Sequence, residues 1–171
     1  MNGKHYEIER KYLIRYPDIQ TLLKQKGVEQ WEIVQIYLTV SGPGETRRIR
    51  QVVSDGQIRY YKTFKRHLSS VKNEEDEGEI DQMEYIRLSH EQQPGCKPLG
   101  KTRYRIPYQG HVLEFDIYPF WKDRAIMEIE LEREDEGAAL PDYVRVIRDV
   151  SADPAYKNRS LAERVVDEPI P

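Results

Sequence analysis

The chain has 171 residues, 38% of them apolar and 33% charged, with a net charge of −3. That length supports one domain with a real core, and the slightly acidic balance argues against general nucleic-acid binding, which needs a basic surface. No stretch approaches the ~20 apolar residues of a membrane helix, no apolar signal core precedes the first strand, and a single cysteine, Cys96, excludes an internal disulfide and fits a reducing cytoplasm.

In chain order, a first strand is expected from Lys4 to Arg15. Pro17 and Asp18 then open a helix from Ile19 to Lys26, which Gly27 stops. Trp31 to Val40 is rich in β-branched and aromatic residues and reads as a second strand. Ser41-Gly42-Pro43-Gly44 is a turn. Thr46–Val53 and Gln57–Arg66 form a hairpin around Asp55-Gly56. The acidic run Glu74–Glu79 reads most simply as a solvated loop. Ile80 ends a strand, and a short helix follows from Gln82 to Glu91.

Gln92–Leu99 is a loop; Cys96 sits in it among Pro94, Gly95 and Pro98, with no histidine near enough in sequence to mark it as catalytic. Lys101–Tyr108 and Val112–Tyr118 form a second hairpin across Gln109-Gly110, and Ala125–Arg133 is another strand. Leu140-Pro141 reads as the start of a helix reaching Arg148. The tail from Tyr156 to Val166 ends in a helical turn. The sum is seven or eight antiparallel strands joined largely by hairpins, with few helices.

Side chains alternate across a strand, so residues two apart share a face. On that rule Glu7, Glu9 and Lys11 share one face of the first strand, with Ile8 and Tyr12 behind. Later strands repeat the scheme. Arg48 pairs with Arg50, Thr63 with Lys65, Glu75 with Glu77, Lys101 with Arg103 and Arg105, Glu114 with Asp116, and Glu128 with Glu130. The opposite faces carry core residues such as Ile49, Phe64, Tyr104, Ile106, Phe115, Met127 and Ile129.

An antiparallel sheet with one wet face would show the same parity. Charge order argues against it: like charges at close spacing repel, and a solvated face usually mixes signs. Here eight carboxylates and seven bases stand largely in signed groups. A divalent cation would neutralise the acids and a polyanion the bases. Same-face neighbours lie about 6.6 Å apart, a gap over which glutamates converge on a hard cation. Arginine forks suit phosphate. If the sheet closes, the charged face becomes a channel in which these contacts strengthen. The four histidines show no metal-ligand spacing and read as surface residues.

These segments resemble the CYTH superfamily, the triphosphate tunnel metalloenzymes, along nearly the whole chain. Glu7-Ile8-Glu9-Arg10-Lys11 is similar to the family's ExExK opening. Gln35-Ile36-Tyr37-Leu38-Thr39 resembles its Q-x-Y-L-T strand, Arg48-Ile49-Arg50 its R-x-R, and Thr63-Phe64-Lys65 its T-x-K. Glu75-Asp76-Glu77 followed by Ile80 resembles E-x-E-x-x-I, and Lys101-Thr102-Arg103-Tyr104 is similar to K-T-R-Y. Glu114-Phe115-Asp116 and Glu128-Ile129-Glu130 resemble E-x-D and E-x-E; Asp149-Val150-Ser151 and Tyr156-Lys157-Asn158 resemble E-V-T and Y-x-N. The chain departs from the pattern at Ala155, and at Lys72 or Asn73, where arginines often stand; Lys157 is a candidate replacement.

The resemblance implies a mostly β fold: a closed eight-stranded antiparallel β-barrel with a few flanking helices, whose lumen binds triphosphate and divalent metal. Carried over position by position, it implies Glu7, Glu9, Asp116, Glu128 and Glu130 as ligands of Mg²⁺ or Mn²⁺. It implies Lys11, Arg48, Arg50, Lys65, Lys101 and Arg103 as phosphate-binding residues. Glu75, Glu77 and Glu114 are further candidate lumen acids. The expected activity is hydrolysis of inorganic tripolyphosphate to pyrophosphate and phosphate. The base is either Lys101, if neighbouring cations lower its pKa and Tyr37 hydrogen-bonds to it, or an acid of the Glu114/Asp116 or Glu128/Glu130 pairs. The alternatives are an adenylate cyclase, a nucleoside or thiamine triphosphatase, and a polyphosphate-binding module without turnover. The expected partner is a small-molecule triphosphate, with no nucleic acid and no membrane; a homodimer is the default oligomer.

Overall fold

Nine strands carry the alternation read from the sequence, and eight of them close on themselves. The computed structural model describes residues 3–171. The strands are β1 (Gly3–Arg15), β2 (Glu29–Leu38), β3 (Glu45–Ser54), β4 (Gln57–His67), β5 (Lys72–Ile80), β6 (Leu99–Tyr108), β7 (His111–Ile117), β8 (Arg124–Glu130) and β9 (Val146–Asp149). The helices are α1 (Ile19–Leu23), α2 (Gln82–Ser89) and α3 (Asn158–Glu163), with a 3-10 turn at Pro154–Tyr156. Around the barrel the order is β1, β5, β4, β3, β2, β6, β7 and β8, which returns to β1. All these pairings are antiparallel.

Closure is the work of β1. Its first half, Gly3–Ile8, pairs with β5, and its second half, Glu9–Arg15, pairs with β8. Both hairpin turns read from the sequence form, with Asp55 and Gly56, and Gln109 and Gly110, all at positive φ.

Of the two readings open for the acidic run, a solvated loop or acids entering the lumen, the structure shows the second: Glu74–Glu79 is the body of β5, held between Lys65-bearing β4 and β1. Its charges are tolerated because lysine and arginine stand across from them. Three other local expectations are revised. No helix runs from Leu140 to Arg148. Leu140, Tyr143 and Val144 pack irregularly on the apolar outer wall, and Val146–Asp149 forms β9. The reason lies in β1: β5 stops at Ile8, so the edge of Tyr12–Ile14 is open, and β9 fills it. Helix α1 ends at Leu23 rather than Lys26, capped by the Asp18 side chain at Gln20 N. Strand β2 starts two residues earlier than expected, at Glu29, and ends at Leu38.

The apolar core lies outside the barrel wall and at one end of the lumen. Leu22 of α1 and the segment around Leu140–Val144 cover Ile14, Ile106, Leu113, Phe115, Met127 and Ile129. Leu88 and Tyr85 of α2 cover Leu38 and Ile49. The third cluster is different. Leu13, Leu99, Tyr118 and Ile126 have the same parity as the lumen charges, and they meet Trp121, Tyr156, Leu161 and Ala162 from the tail. One end of the channel is therefore stoppered by apolar side chains. Hydrogen bonds from Trp121 Nε1 to Val166 O and from Arg124 to Glu168 O pin the tail in place. Among the described residues no helix is long and apolar enough to cross a membrane.

Candidate active site

The register places the charged residues in rings. Across neighbouring strands Lys11 faces Glu128, Arg103 faces Asp116, Arg105 faces Glu114, and Lys65 faces Glu75. Directly opposed residues point to the same side, so these pairs line the lumen together. Two opposed pairs carry the same sign: Glu9 faces Glu130, and Glu114 faces Glu128. All expected acids except Asp116, and all expected bases except Lys11 and Lys101, open on one lumen cavity of about 170 Å³.

Asp116 lies behind the cavity, completely buried. Its Oδ1 accepts from Arg103 Nε at 2.7 Å, and its Oδ2 from Arg103 Nη2 at 2.9 Å and Lys101 Nζ at 2.7 Å. The geometry thus brings Asp116 to two cations rather than to Glu7 and Glu9, and it fixes the aim of the Arg103 fork. Arg103 also donates to Glu114 at 3.1 Å and lies 3.5 Å from Glu128. Lys11 is 3.7 Å from Glu128. Glu77 accepts from Arg50 at 3.0 Å and from Thr63 at 2.6 Å, so both expected acids of β5 face inward.

Arg48 stands apart. It faces Thr63 and Tyr37 across the ladder, yet its guanidinium makes no hydrogen bond or ion pair among the described residues, and its buried Nε has no acceptor. Burial opposes its charge, but the field of Tyr37, Glu77, Glu75 and Glu7 outweighs burial and keeps it firmly cationic. A charged fork held by field alone, with its donors unused, is poised for an anion.

The acids divide by partner. Burial pushes the Glu7 carboxyl up, but Lys65 at 2.8 Å overcomes this and holds it at about 2. Among the described residues Glu9 has no cation at ion-pair distance. Burial, Glu128 and Glu7 together raise it well above its ordinary value, and it shares a hydrogen bond with Glu128, which is held low against burial by Lys11, Arg103 and Lys101. A carboxyl forced to keep its proton between two carboxylates is what a hard cation would relieve. The donors are all oxygens, which fits Mg²⁺ or Mn²⁺. Among the described residues no three acids stand close enough to enclose a cation alone, so water and substrate oxygens would complete its shell, as Mg²⁺ prefers.

Burial drives the Lys101 ammonium down to about 8, with Arg103 adding to the effect against the pull of Asp116. The hydrogen bond expected from Tyr37 to Lys101 is absent among the described contacts. The Tyr37 hydroxyl accepts from Gln35 Nε2 at 2.7 Å, and Lys101 turns to Asp116 and, at 3.5 Å, to Asn158 Oδ1. The pull toward Asp116 wins because a buried ammonium needs a charged partner.

Sequence reasoning gave no role to several neighbours. Asn158 reaches the lumen from the tail and also accepts the Tyr118 hydroxyl. Asn73 Nδ2 donates to Glu7 at 3.3 Å, and its Oδ1 lies 2.6 Å from His67 Nδ1. The parity of β5 already pointed Asn73 inward, but an uncharged amide gave no signal.

The family description named CYTH domain matches residues 5–166. The chain belongs to the CYTH family. No curated protein matches this CYTH chain. Solved structures do. The inorganic triphosphatase NE1496 is 26% identical, with a TM-score of 0.54 over 92% of this chain and 94% of that one. PH1819 from Pyrococcus horikoshii is 19% identical, with a TM-score of 0.60 over 75% of this chain and 80% of that one. HpAC1 from Hippeastrum, described as an adenylyl cyclase candidate with a dominant triphosphatase activity, is 18% identical, with a TM-score of 0.51 over 74% of this chain and 80% of that one. The last two share the CYTH barrel and speak to fold alone.

Proposed function

We propose that this CYTH protein hydrolyses inorganic tripolyphosphate to pyrophosphate and phosphate inside its barrel, with Mg²⁺ or Mn²⁺ as cofactor. The observation that carries the reading is the unpaired, charged Arg48 fork in a lumen ringed by acids. Likeness to the inorganic triphosphatase NE1496 supports it.

Glu7, Glu9, Glu128 and Glu130 are the acids that would hold the cation; when bound, it would screen the phosphate oxygens from one another and activate water. Arg48, Arg50, Lys65 and Arg103 bind the phosphates and stabilise charge on the transferring group. Lys11 binds from the stoppered end, where it contacts Glu128. Water oxygen bonds to the terminal phosphorus as the bridging P–O bond breaks, and the bridging oxygen leaves on pyrophosphate. The water proton passes to an acid that faces the cavity, Glu114 or Glu130, or reaches the Lys101 amine, lowered to about 8 and held behind the cavity on Asp116, through one bridging water.

Of the rings that could stack a nucleobase, Trp121 is buried in the stopper and Tyr60 packs on Tyr85 at 4.8 Å outside the wall. Trp31 lines the lumen cavity, with the Arg105 guanidinium 4.6 Å from its ring, and is the ring a nucleotide would use.

The test is incubation with Mg²⁺ and, separately, tripolyphosphate, ATP and thiamine triphosphate, resolving orthophosphate, pyrophosphate and cyclic AMP. Orthophosphate chiefly from tripolyphosphate is the expected result. Cyclic AMP from ATP would replace the reading with a cyclase, and binding without turnover would leave a polyphosphate receptor. The pH profile tests the base. For the unaltered enzyme kcat/KM should rise to a plateau above about pH 8. Lys101→Arg cannot lose its proton and should be at least about tenfold slower. Persistence of the same rise in that variant would assign the base to an acid instead.

A further inference from the structure

Beside the lumen, toward the tail, lies a second cavity of about 90 Å³. It shares Glu9, Arg48, Lys65 and Asn158 with the lumen, so the two are continuous. Their charge differs sharply. Seven carboxylates and five bases line the lumen cavity. The side cavity has five bases, Lys11, Arg48, Lys65, Lys157 and Arg159, and one carboxylate, Glu9.

Most of these bases are engaged. Lys65 is bound to Glu7, Lys11 leans on Glu128, and Arg159 is paired with Glu163 at 2.7 Å. Lys157 is not. It is half-buried where the 3-10 turn meets α3, and its ammonium has no hydrogen bond or ion pair among the described residues. Burial, and then the charges of Lys11 and Lys65, act against its own charge. Holding a third ammonium against two others, partly out of water, is unfavourable unless an anion joins them. The uncharged groups that line the same space, the hydroxyls of Thr46, Ser70 and Ser151 and the ring of His67, can donate to phosphate oxygens.

We propose that this side cavity is a phosphate subsite continuous with the tunnel, in which Lys157, beside Lys11, holds a phosphate group lying beyond the three in the lumen. The subsite rests on the reading of the lumen as a triphosphate site and extends it. Two sources supply the same chemistry: the fourth phosphoryl group of a longer linear polyphosphate, or free orthophosphate beside a bound chain. Lys157 is the specificity residue for either, and it touches no group in the proposed transfer step.

Calorimetric binding in EDTA, where nothing turns over, separates the cases. Tripolyphosphate, tetrapolyphosphate and orthophosphate are each titrated into the protein, its Lys157→Gln variant and its Lys157→Arg variant. For a chain subsite, tetrapolyphosphate binds about tenfold more tightly than tripolyphosphate, the worth of one charge-assisted hydrogen bond. Gln removes that advantage and Arg restores it, while tripolyphosphate affinity stays within about twofold. For a free-phosphate subsite, the two chains bind alike, and orthophosphate binds on top of tripolyphosphate in the protein but not in the Gln variant. The proposal is overturned if Gln leaves both the tetrapolyphosphate advantage and orthophosphate binding unchanged, or weakens both chains equally. Absence of tripolyphosphate binding in EDTA together with absence of binding and turnover in Mg²⁺ would remove the lumen reading itself, and the subsite with it.

Discussion

Replacing Arg48 with lysine is expected to lower kcat/KM for tripolyphosphate by about 10²-fold, within the range for loss of one well-aimed donor to a developing charge, while leaving stability almost unchanged. The substitution keeps the positive charge that Glu7, Glu75 and Glu77 favour, so the acids keep their counter-charge. What it removes is the planar fork and its unused donors. Because Arg48 makes no hydrogen bond among the described residues, no described hydrogen bond is lost with the fork. Arg48→Met removes charge and fork together and should cost both activity and stability, since three acids then face less compensation. Steady-state kinetics beside thermal unfolding reads both. Full activity in the lysine variant would mean that a point charge suffices and that the fork is incidental.

Glu9→Gln is expected to abolish turnover, a loss of at least about 10³-fold, and to stabilise the metal-free protein at neutral pH. The sign follows from linkage. In the folded protein burial and the charges of Glu128 and Glu7 raise the Glu9 pKa well above its ordinary 4.5. Between those two values the folded state holds a proton that the unfolded state has released. Stability is therefore lost as pH climbs from the ordinary value toward the raised one. Glutamine, an isostere of the protonated acid, takes no part in that loss. Unfolding curves across pH, in EDTA and then in Mg²⁺, should show a decline for the natural protein that the variant lacks. They should also show a Mg²⁺ stabilisation that the variant largely loses. A metal-free variant that unfolds more easily at pH 7 would make Glu9 a structural residue.

The lumen was readable before any coordinates because it is a parity effect. Each strand places its charges two residues apart, and closure only has to bring those faces together. The location of the walls of the core was equally direct for Ile49, Phe115, Met127 and Ile129. What escaped reading was whatever depends on a distant segment. Leu13, Leu99 and Ile126 share the parity of the lumen charges, but nothing local says that Tyr156 and Leu161 arrive to seal them. Strand β9 has only four residues and follows a Leu-Pro pair that suits a helix start; its strand form comes from the vacancy beside Tyr12–Ile14. A solvated reading of the acidic run stayed open beside the lumen one because Lys65 and Arg50, its counter-charges, sit on other strands. Asn73 and His67 carry no signed pair, so charge counting passed over them, and Lys157 stood out only as a candidate replacement for a missing arginine.

The doubly paired first strand has a kinetic consequence. Strand β1 precedes the other eight strands along the chain, yet about half of its ladder partners lie on β8, more than a hundred residues later. Pairings between remote segments form slowly because the loop must close before contacts repay it. Until that closure, Glu7 has no Lys65 and Lys11 has no Glu128. Folding and assembly of the charged lumen are thus one event. A stopped-flow refolding experiment should find phosphate affinity returning only in the slowest phase, with no half-built molecule that captures metal or phosphate on the way.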